Sequence, residues 1–160
     1  MEGAGGGERP AAPIVHHDLC FGCGLANLFG LQLEAGQVEG GGIAGRFFVK
    51  QDHQGPPGFA HGGILGAALD EAMSLAVHAQ GVQALTASCE LELHAPAPVG
   101  AFVRIEARID KRRRRRLWAS ASALGEGERP LAEARAVFVE PERDDEDRDV
   151  ADEDALEADM

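Results

Sequence analysis

The chain has 160 residues, 44% of them hydrophobic, and a formal net charge of −12. This length suits one domain that buries its core without staples such as disulfide bonds. The charge argues against a nucleic-acid binder, no apolar run approaches the roughly 20 residues of a membrane helix, and three cysteines, an odd number, argue against a disulfide framework. We therefore expect a cytoplasmic protein that binds neither nucleic acid nor membranes.

The negative charge is concentrated at the C-terminal end. Residues 142–160 contain eleven acids and two arginines, a net charge of −9, which leaves −3 for residues 1–141. Such a segment has almost nothing apolar to bury, so we predict an acidic disordered tail over 142–160 and leave its role open. Residues 1–15 also lack structure signals and the apolar core of a secretory signal, so we predict disorder there. The folded domain is predicted over 16–141.

The domain begins with HHDLCFGCGLANLFGL over residues 16–31, whose Gly and Asn content predicts an irregular loop. Within it, His17, Cys20 and Cys23 have the H-x-x-C-x-x-C spacing of metal ligands. Structural zinc sites usually take four ligands, but no second C-x-x-C pair follows and Cys89 lies far along the chain. We therefore expect a structural loop and no metal, although the sequence leaves open whether these three residues bind one.

Two strands and one long helix follow the loop. Partial alternation of apolar residues over 31–34 and 42–49 predicts two strands joined by the turn GQVEGGG. From residue 62 to about residue 80 the chain is almost continuously apolar or small, which predicts a helix covered on most of its sides. Gly81 is the expected stop signal.

The rest of the domain alternates between apolar and polar residues, as antiparallel strands with one buried face do. In the first segment, Cys89, Leu91 and Leu93 alternate with acids and a histidine. Three more segments of this kind cover 102–110, 117–124 and 131–139. The order of two strands, a helix and four strands predicts an α+β fold in which an antiparallel sheet wraps around one long central helix.

Several stretches together resemble the hotdog-fold thioesterase superfamily, most of all the PaaI-like acyl-CoA thioesterases. They are GPPGFAHGGILGAALDEAM over 55–73, then Thr86, a PAP turn and DKRRRRRLWASAS, and CFGCGLANLFGLQL resembles a leader in one branch of that group. The similarity covers about residues 18–140. It implies a hotdog fold, a homodimer or dimer of dimers, and hydrolysis of an acyl-CoA thioester without a metal or other cofactor, coenzyme A being part of the substrate.

The resemblance also assigns the residues of the reaction. Asp70 matches the catalytic acid of the family, and Gly62 matches the residue whose backbone N–H holds the thioester oxygen. Thr86 matches a hydroxyl near the attacking water. Many members place Asn or Gln shortly before the HGG sequence, whereas this chain has Gly55 beside Gln54, so the resemblance supplies no such helper here.

Further residues match positions that contact the substrate. Arg115 matches a basic residue that contacts coenzyme A, and the other matches are Glu92, His94 and Ser120. Arg115 belongs to a run of six basic residues, 111–116, between two predicted strands. A nucleic-acid patch and a solvated turn are alternatives, but arginine suits the phosphates of coenzyme A, and no aromatic ladder accompanies the run.

The chemistry explains why two glycines begin the helix. Thioester hydrolysis develops negative charge on the carbonyl oxygen, and a helix N-terminus offers unpaired N–H donors and a partial positive charge. Gly62 and Gly63 carry no side chain that would keep a substrate from these donors. Asp70 would then activate water or attack the thioester itself, and the sequence does not decide between these roles.

A length argument makes this hypothesis sharper. Gly62 and Asp70 lie eight residues apart, about 12 Å along one helix. A reacting carbonyl must lie about 3 Å from both the donor and the attacking group. One helix cannot supply both, whereas two helices packed antiparallel across a two-fold axis can. We therefore predict two composite sites in each dimer.

Other residues of the helix region have less specific explanations. His61 could polarise the substrate, but we favour a role in fixing the turn by a backbone hydrogen bond. Asp70, Ser74 and His78 share one helix stripe, yet no G-x-S-x-G elbow accompanies them, so a serine hydrolase is disfavoured. Glu71 points about 100° away from Asp70 and is predicted to pair with another group or to be solvated, and a role as the main acid is a lesser alternative.

The main alternative function is a hotdog module that binds acyl-CoA or a fatty-acyl ligand without cleaving it. Asp70 in the catalytic position favours the enzyme. The acyl-chain preference and the choice between dimer and tetramer are left open.

Overall fold

The structure is a computed structural model that describes residues 8–142. Residues 1–7 of the predicted N-terminal segment, and the predicted acidic tail from residue 143 onwards, lie outside the described residues. In chain order the strands and the helix are β1 (Glu34–Gln37), β2 (Ile43–Phe48), α1 (Gly62–His78), β3 (Leu85–Leu93), β4 (Phe102–Arg113), β5 (Arg116–Leu124) and β6 (Pro130–Val139). Short 3-10 turns occur at Gln51–His53 and Glu126–Glu128.

All six strands form one antiparallel sheet in the order β1-β2-β4-β5-β6-β3. Helix α1 packs against one face of this sheet and contacts every strand. Leu69 and Met73 of the helix are fully buried together with Phe47, Ile105 and Phe138 of the sheet. Burying a side chain of this size contributes about 1.5–3 kcal/mol. The predicted hotdog fold, with an antiparallel sheet around one central helix, is confirmed.

Helix α1 is covered on only part of its circumference. Its buried residues are Leu65, Ala68, Leu69, Ala72, Met73, Leu75, Ala76 and Val77. Gly63 is exposed and Asp70 is half-buried, so the expectation of cover on most sides holds only for the face toward the sheet. No helix in the described part of the chain has the length and apolar character that a bilayer crossing requires.

The first strand lies three residues later than predicted. β1 covers Glu34–Gln37, whereas the sequence pattern predicted a strand over 31–34. Leu31 and Leu33 are buried, but their N–H groups donate to the carbonyls of Phe21 and Gly22 in the preceding loop, at 2.8 and 2.9 Å. Packing against the loop, rather than pairing in the sheet, therefore explains the apolar pattern there.

The packed region begins before residue 16, the predicted start of the domain. The Ile14 N–H donates to the Ala35 carbonyl at 2.7 Å, and the side chains of Ile14 and Val15 pack against the core. These contacts attach the segment to β1.

Strand β3 is the exception among the predicted half-buried strands. The register places Cys89, Leu91 and Leu93 opposite three alanines of β6 that face the helix, as the alternation predicted. Even so, Leu91 is 37% and Leu93 is 53% exposed, and every residue of β3 is exposed. The reason is topological, because β3 is an edge strand with nothing beyond it. An edge strand with exposed leucines is a surface on which another strand can pair.

Candidate functional site

The N-terminus of α1 presents backbone donors. His61 is the N-cap, and its ring Nδ1 accepts a hydrogen bond from the Gly63 N–H at 2.9 Å. The backbone N–H of His61 donates to the His53 carbonyl at 2.8 Å, which fixes the turn. Gly62 is the first helical residue, so its N–H has no acceptor within the helix. His61 thus has the turn-fixing contacts that we favoured, and the Gly62 N–H lies at the positive end of the helix.

Gly62, Gly66 and Asp70 form one stripe of α1 that faces β3. A Cβ added at Gly62 would lie 2.7 Å from a methyl of Leu93, and one at Gly66 would lie 3.0 Å from a methyl of Leu91. Farther along, Thr86 Oγ1 donates to Asp70 Oδ1 at 2.7 Å. The helix and the strand run in opposite directions, so each helical turn meets an earlier residue of β3. We call this set the glycine–aspartate stripe.

The environment of Asp70 includes a thiol, that of Cys89, on β3, the strand that carries Thr86. Partial burial, and then the negative charges of Asp70 and Glu90, raise the pKa of the Cys89 thiol. Cys89 is therefore a protonated neighbour of the carboxylate at neutral pH. The hydroxyl of Thr86 is the group that contacts Asp70 directly.

The stripe cannot complete a site within one chain. Eight residues separate Gly62 from Asp70 in a continuous helix, a rise of about 12 Å. A carbonyl carbon that accepts attack at Asp70 is then too far from the Gly62 N–H for its oxygen to bind there.

Gly55 stands where the family helper residue would be expected. A Cβ at this position would lie 2.7 Å from the His61 Cα and would displace the backbone that begins the helix. Its neighbour Gln54 accepts a hydrogen bond from the Gly58 N–H at 2.8 Å and stabilises the GPPG turn. Gly55 has no side-chain amide, and the amide oxygen of Gln54 is used within the turn.

The predicted contacts for coenzyme A are spread over two places. Arg115 lies in the turn between β4 and β5, where it donates to Glu142 at 2.6 Å and to the Glu140 carbonyl at 3.2 Å. Ser120 and Glu92 line a groove of about 670 Å³ on the face of the sheet away from the helix. Ser120 donates to Asp110 at 3.1 Å. Within one chain, this groove is separated from the glycine–aspartate stripe by the sheet itself.

His94 is brought together with two acids rather than with Arg115. Its Nε2 lies 3.3 Å from Glu133 and 3.9 Å from Glu92. All three side chains are exposed, so the ion pairs contribute little stability.

The basic run lies between two paired strands, as predicted, but the strands extend into it and leave only Arg114 and Arg115 in the turn. Arg113 pairs with Arg116 across a two-residue turn, and Arg114 has a positive φ of 56°. Lys111 lies 4.8 Å from the centre of the Trp118 ring, and Arg112 pairs with Glu140 at 3.1 Å. Part of the basic charge is therefore engaged locally.

A second cluster of polar side chains joins the N-terminal loop to the far side of α1, and we call it the loop–helix cluster. It consists of His16, Cys20, Cys23 and Glu71, whose donor atoms all lie within 4.8 Å of one another. His16 Nδ1 lies 2.7 Å from Glu71 Oε1. Of the two predicted states of Glu71, paired or solvated, the structure shows the paired one, and the partner is His16.

The histidine of this cluster is not the one that the H-x-x-C-x-x-C spacing indicates. His17 is exposed and takes no part in it, whereas the adjacent His16 does. Glu71 was not recognisable as its companion because linear spacing does not show which helix face the loop covers. Ser74, whose Oγ lies 3.3 Å from His16 Nε2, belongs to this cluster and not to a relay with Asp70.

Burial and hydrogen bonding change the acidity of these groups. The hydrogen bond to Glu71 raises the pKa of His16 to about 9 against the opposing effect of burial. Burial favours the neutral form of Glu71, but hydrogen bonds from His16 and the cysteines outweigh it and lower the pKa of that carboxyl. Burial also raises the pKa of the fully buried Cys23 thiol.

Comparison with known proteins connects this geometry to a family. A model described as the thioesterase superfamily matches residues 57–137, half of the chain. The human protein named acyl-coenzyme A thioesterase THEM5 is 31% identical over 94 residues. The match covers 58% of this chain but only 38% of the human protein.

Two solved structures share the fold. A hypothetical thioesterase protein with coenzyme A from Streptococcus pneumoniae TIGR4 has a TM-score of 0.64 at 16% identity, over 69% of this chain and 87% of that one. The E. coli PaaI protein from the phenylacetic acid degradation operon has a TM-score of 0.63 at 17% identity, over 68% of this chain and 82% of that one.

Proposed function

Because this chain belongs to the thioesterase superfamily, we propose that it hydrolyses an acyl-CoA thioester to the free acid and coenzyme A. The observation that carries the proposal is the glycine–aspartate stripe, which pairs a helix N-terminus with a carboxylate on one open face. The relative named acyl-coenzyme A thioesterase and the fold relative solved with coenzyme A support this substrate class.

Asp70 is the proposed general base or nucleophile. Its Oδ1 accepts a hydrogen bond from Thr86 at 2.7 Å, which leaves Oδ2 to face a water or the thioester carbon. As a base it takes a proton from water, and the hydroxide adds to the carbonyl. As a nucleophile it forms an anhydride that water then cleaves. Either route expels the coenzyme A thiolate, which takes up a proton.

The Gly62 N–H is the proposed oxyanion donor. It lies at the positive end of α1, and no side chain on Gly62 or Gly63 obstructs a thioester. One such donor stabilises the transition state by about 2.7–4 kcal/mol. The His61 ring uses Nδ1 to cap Gly63, so its hydrogen is on Nε2, available to a substrate at the same helix end.

Two subunits are proposed to share each site. Pairing of two β3 edges about a two-fold axis would cover the exposed leucines and bring the stripes of two α1 helices together in antiparallel orientation. Gly62 of one protomer would then lie near Asp70 of the partner subunit. A homodimer is the smallest assembly that completes this site, and a dimer of dimers would contain four such sites.

Coenzyme A is proposed to bind at the rim of the dimer. Arg115, at the tip of the β4–β5 hairpin, offers a guanidinium to a phosphate group. Its ion pair with Glu142 lies on the surface and is weak, so a phosphate can readily replace Glu142. Gly63, Glu92, His94 and Ser120 remain proposed contacts of the substrate. Cys20, Cys23 and Cys89 are free thiols, which suits the cytoplasmic location that we propose.

The decisive experiment mixes two inactive variants. Asp70→Asn removes the acid, and Gly62→Pro removes the donor N–H. Proline suits the first helical position, and His61 already has the extended ψ of 138° that a residue before proline prefers. The new Cβ would lie 2.7 Å from the end of the Leu93 side chain, which is 53% exposed and has room to turn away. Each variant alone should lose about 100-fold or more of kcat. After subunit exchange, half of the dimers are mixed and each has one intact site, so about one quarter of wild-type activity should return.

Two results would contradict this proposal. Mixed dimers that regain no activity, verified by differently tagged subunits, would refute the shared site. Absence of thiol release from short, long and aryl acyl-CoAs, with coenzyme A binding retained, would refute the hydrolase and favour the acyl-binding module.

A further inference from the structure

The loop–helix cluster contains four side chains of the kinds that bind transition metals. It offers one imidazole, two thiols and one carboxylate, from His16, Cys20, Cys23 and Glu71. Cys23 is fully buried, and the side chains of His16 and Glu71 are 22% and 13% exposed. Glu71 points about 100° away from Asp70 around α1, and none of the four side chains belongs to the glycine–aspartate stripe, so the proposed hydrolysis does not use the cluster.

We propose that this cluster binds one zinc ion in tetrahedral coordination. Zinc accepts this mixture of nitrogen, sulfur and oxygen ligands at bond lengths of about 2.0–2.3 Å, which sets neighbouring ligand atoms about 3.3–3.8 Å apart. Cys20 Sγ lies 3.5 Å from Glu71 Oε1, and Cys23 Sγ lies 3.6 Å from His16 Nδ1. His16 Nδ1 and Glu71 Oε1, at 2.7 Å, need to separate by about 0.6 Å when the ion replaces the proton between them.

The groups around the four ligands support this geometry. The His16 backbone N–H donates to Cys23 Sγ at 3.2 Å, a contact that stabilises a thiolate. With Nδ1 on the ion, the ring hydrogen lies on Nε2, which then donates to Ser74 Oγ at 3.3 Å. Metal-binding histidines usually make such a second hydrogen bond, and it fixes the orientation of the ring.

Two glycines make the approach of loop and helix possible. A Cβ at Gly22 would come within 2.2–2.5 Å of the Glu71 side chain, and a Cβ at Gly24 would come within 2.4–2.6 Å of the backbone at Asp18 and Cys20. The Gly24 N–H also donates to the Cys20 carbonyl at 2.8 Å. The loop is therefore held in the one conformation that turns both thiols toward Glu71.

The proposed ion has a structural role. All four coordination positions are filled by the protein, whereas a catalytic zinc keeps one position open. The ion would join the N-terminal loop to α1 at Glu71, the residue next to Asp70, and so hold the helix that carries the proposed acid. Because the ligand atoms come from two separate segments, binding stabilises the folded state over the unfolded one.

The test uses the full chain, purified under reducing conditions, stripped with a chelator and titrated with Zn²⁺ or with Co²⁺ as a coloured substitute. We expect one ion per chain by elemental analysis, the visible absorption of tetrahedral thiolate-bound Co²⁺, and a lower Tm after chelation that Zn²⁺ restores. Cys23→Ser and Glu71→Gln should weaken binding by about 100-fold or more, since even loss of an outer hydrogen-bond partner costs about 10–100-fold.

The chain offers matched controls outside the cluster. Cys89→Ser removes the third cysteine and His17→Gln removes the neighbouring histidine, and both should leave affinity and the Co²⁺ spectrum unchanged. If Cys23→Ser fails to fold, the zinc affinity of Glu71→Gln and the melting curves of wild-type protein with and without Zn²⁺ still test whether the cluster binds zinc.

Two results would overturn the proposal. They are absence of stoichiometric binding at micromolar Zn²⁺ and a Co²⁺ spectrum without thiolate character. Neither of these depends on thioester hydrolysis, so failure here leaves the proposed function intact, and the reverse also holds.

Discussion

Among residues 8–142, the side chain that donates a hydrogen bond to the Asp70 carboxylate is that of Thr86 on the facing strand. A hydrogen bond to a charged acceptor contributes about 1.5–3 kcal/mol. If this contact positions the acid for catalysis, its loss should affect kcat more than KM, because the thioester itself does not need the threonine in order to bind.

Thr86→Val therefore tests the orientation of the acid, since it keeps the shape of the side chain and removes the hydroxyl. We expect kcat to fall about 10–100-fold, with KM changed little, in a steady-state thiol-release assay. Thr86→Ser retains the hydroxyl and should restore most of the rate. A valine variant with wild-type kcat would show that Asp70 does not need this partner.

His53 predicts how stability depends on pH. The ring is 2% exposed, its Nδ1 accepts from the Lys50 N–H at 3.0 Å, and its Nε2–H donates to the Gly30 carbonyl at 3.3 Å. Burial lowers the pKa of His53 from 6.5, outweighing the Gly30 hydrogen bond, and the Lys50 charge adds to this. Between the lowered pKa and 6.5, His53 is therefore protonated in more of the unfolded chains than of the folded ones.

This difference should appear as acid sensitivity. As pH falls from 6.5 toward the lowered pKa, His53 should reduce the free energy of unfolding, and above 6.5 it should contribute no slope. Urea unfolding at a series of pH values measures this effect. His53→Gln, which can still accept and donate, should flatten the curve below 6.5, whereas exposed His17→Gln should not. Equal slopes in all three proteins would contradict the assignment.

The residues of the site differ in how far the sequence could reveal them. Asp70, Thr86 and Gly62 lie in a motif, so resemblance was enough to select them, and the structure places the first two in contact. His16 and Glu71 could not be paired in advance, because the choice between His16 and His17 depends on how the loop turns over the helix. Only folding determines that contact.

At the scale of elements, the helix and the central strands of the sheet were predictable from the sequence, whereas the two edge strands, β1 and β3, were not. β5, β6 and the first part of β4, as far as Ile109, alternate and are buried on one face by α1, so the period of the sequence and the burial of the side chains agree there. β3 alternates equally well, yet it is exposed because its position at the edge depends on strand order. For β1 the apolar pattern reflected contact with the loop rather than a strand.

The β4–β5 hairpin contains a local conflict that can be measured. Arg114 has a φ of 56°, in the left-handed region that glycine adopts readily and other residues adopt at a cost of about 1 kcal/mol. Arg114→Gly should therefore raise the free energy of unfolding by up to about 1 kcal/mol. Arg113→Gly, one residue earlier in β4, should lower it by about 0.5–1 kcal/mol. Chemical denaturation would measure these opposite changes in the free energy of unfolding. A loss of stability in both variants would show that the backbone at Arg114 is not strained.

At the scale of the whole molecule, the folded chain has one edge suited to a second copy. β3 exposes Leu85, Leu91 and Leu93 beside the glycine–aspartate stripe, and its outer backbone groups face away from β6. Removing this apolar surface from water and pairing the edge would both favour association.

Leu91→Lys should therefore convert the proposed dimer to a monomer and abolish activity together with assembly. Light scattering coupled to size exclusion measures the mass, and thiol release measures the activity. Leu28→Lys is the matched control, because Leu28 is 73% exposed but lies in the N-terminal loop. A monomeric Leu91→Lys protein with full turnover would rule out a shared site.

The strand order also has a consequence for synthesis on the ribosome. β3 pairs with β6, the last strand of the sheet, and β4 and β5 must be made in between. Until Pro130–Val139 has left the exit tunnel, β3 emerges with neither of its edges hydrogen-bonded, and Thr86 lacks its cross-strand neighbour Phe138. Such non-local pairing forms late because its loop must close first. We therefore expect the nascent chain to be most exposed to chaperones and proteases just before its final strand is synthesised.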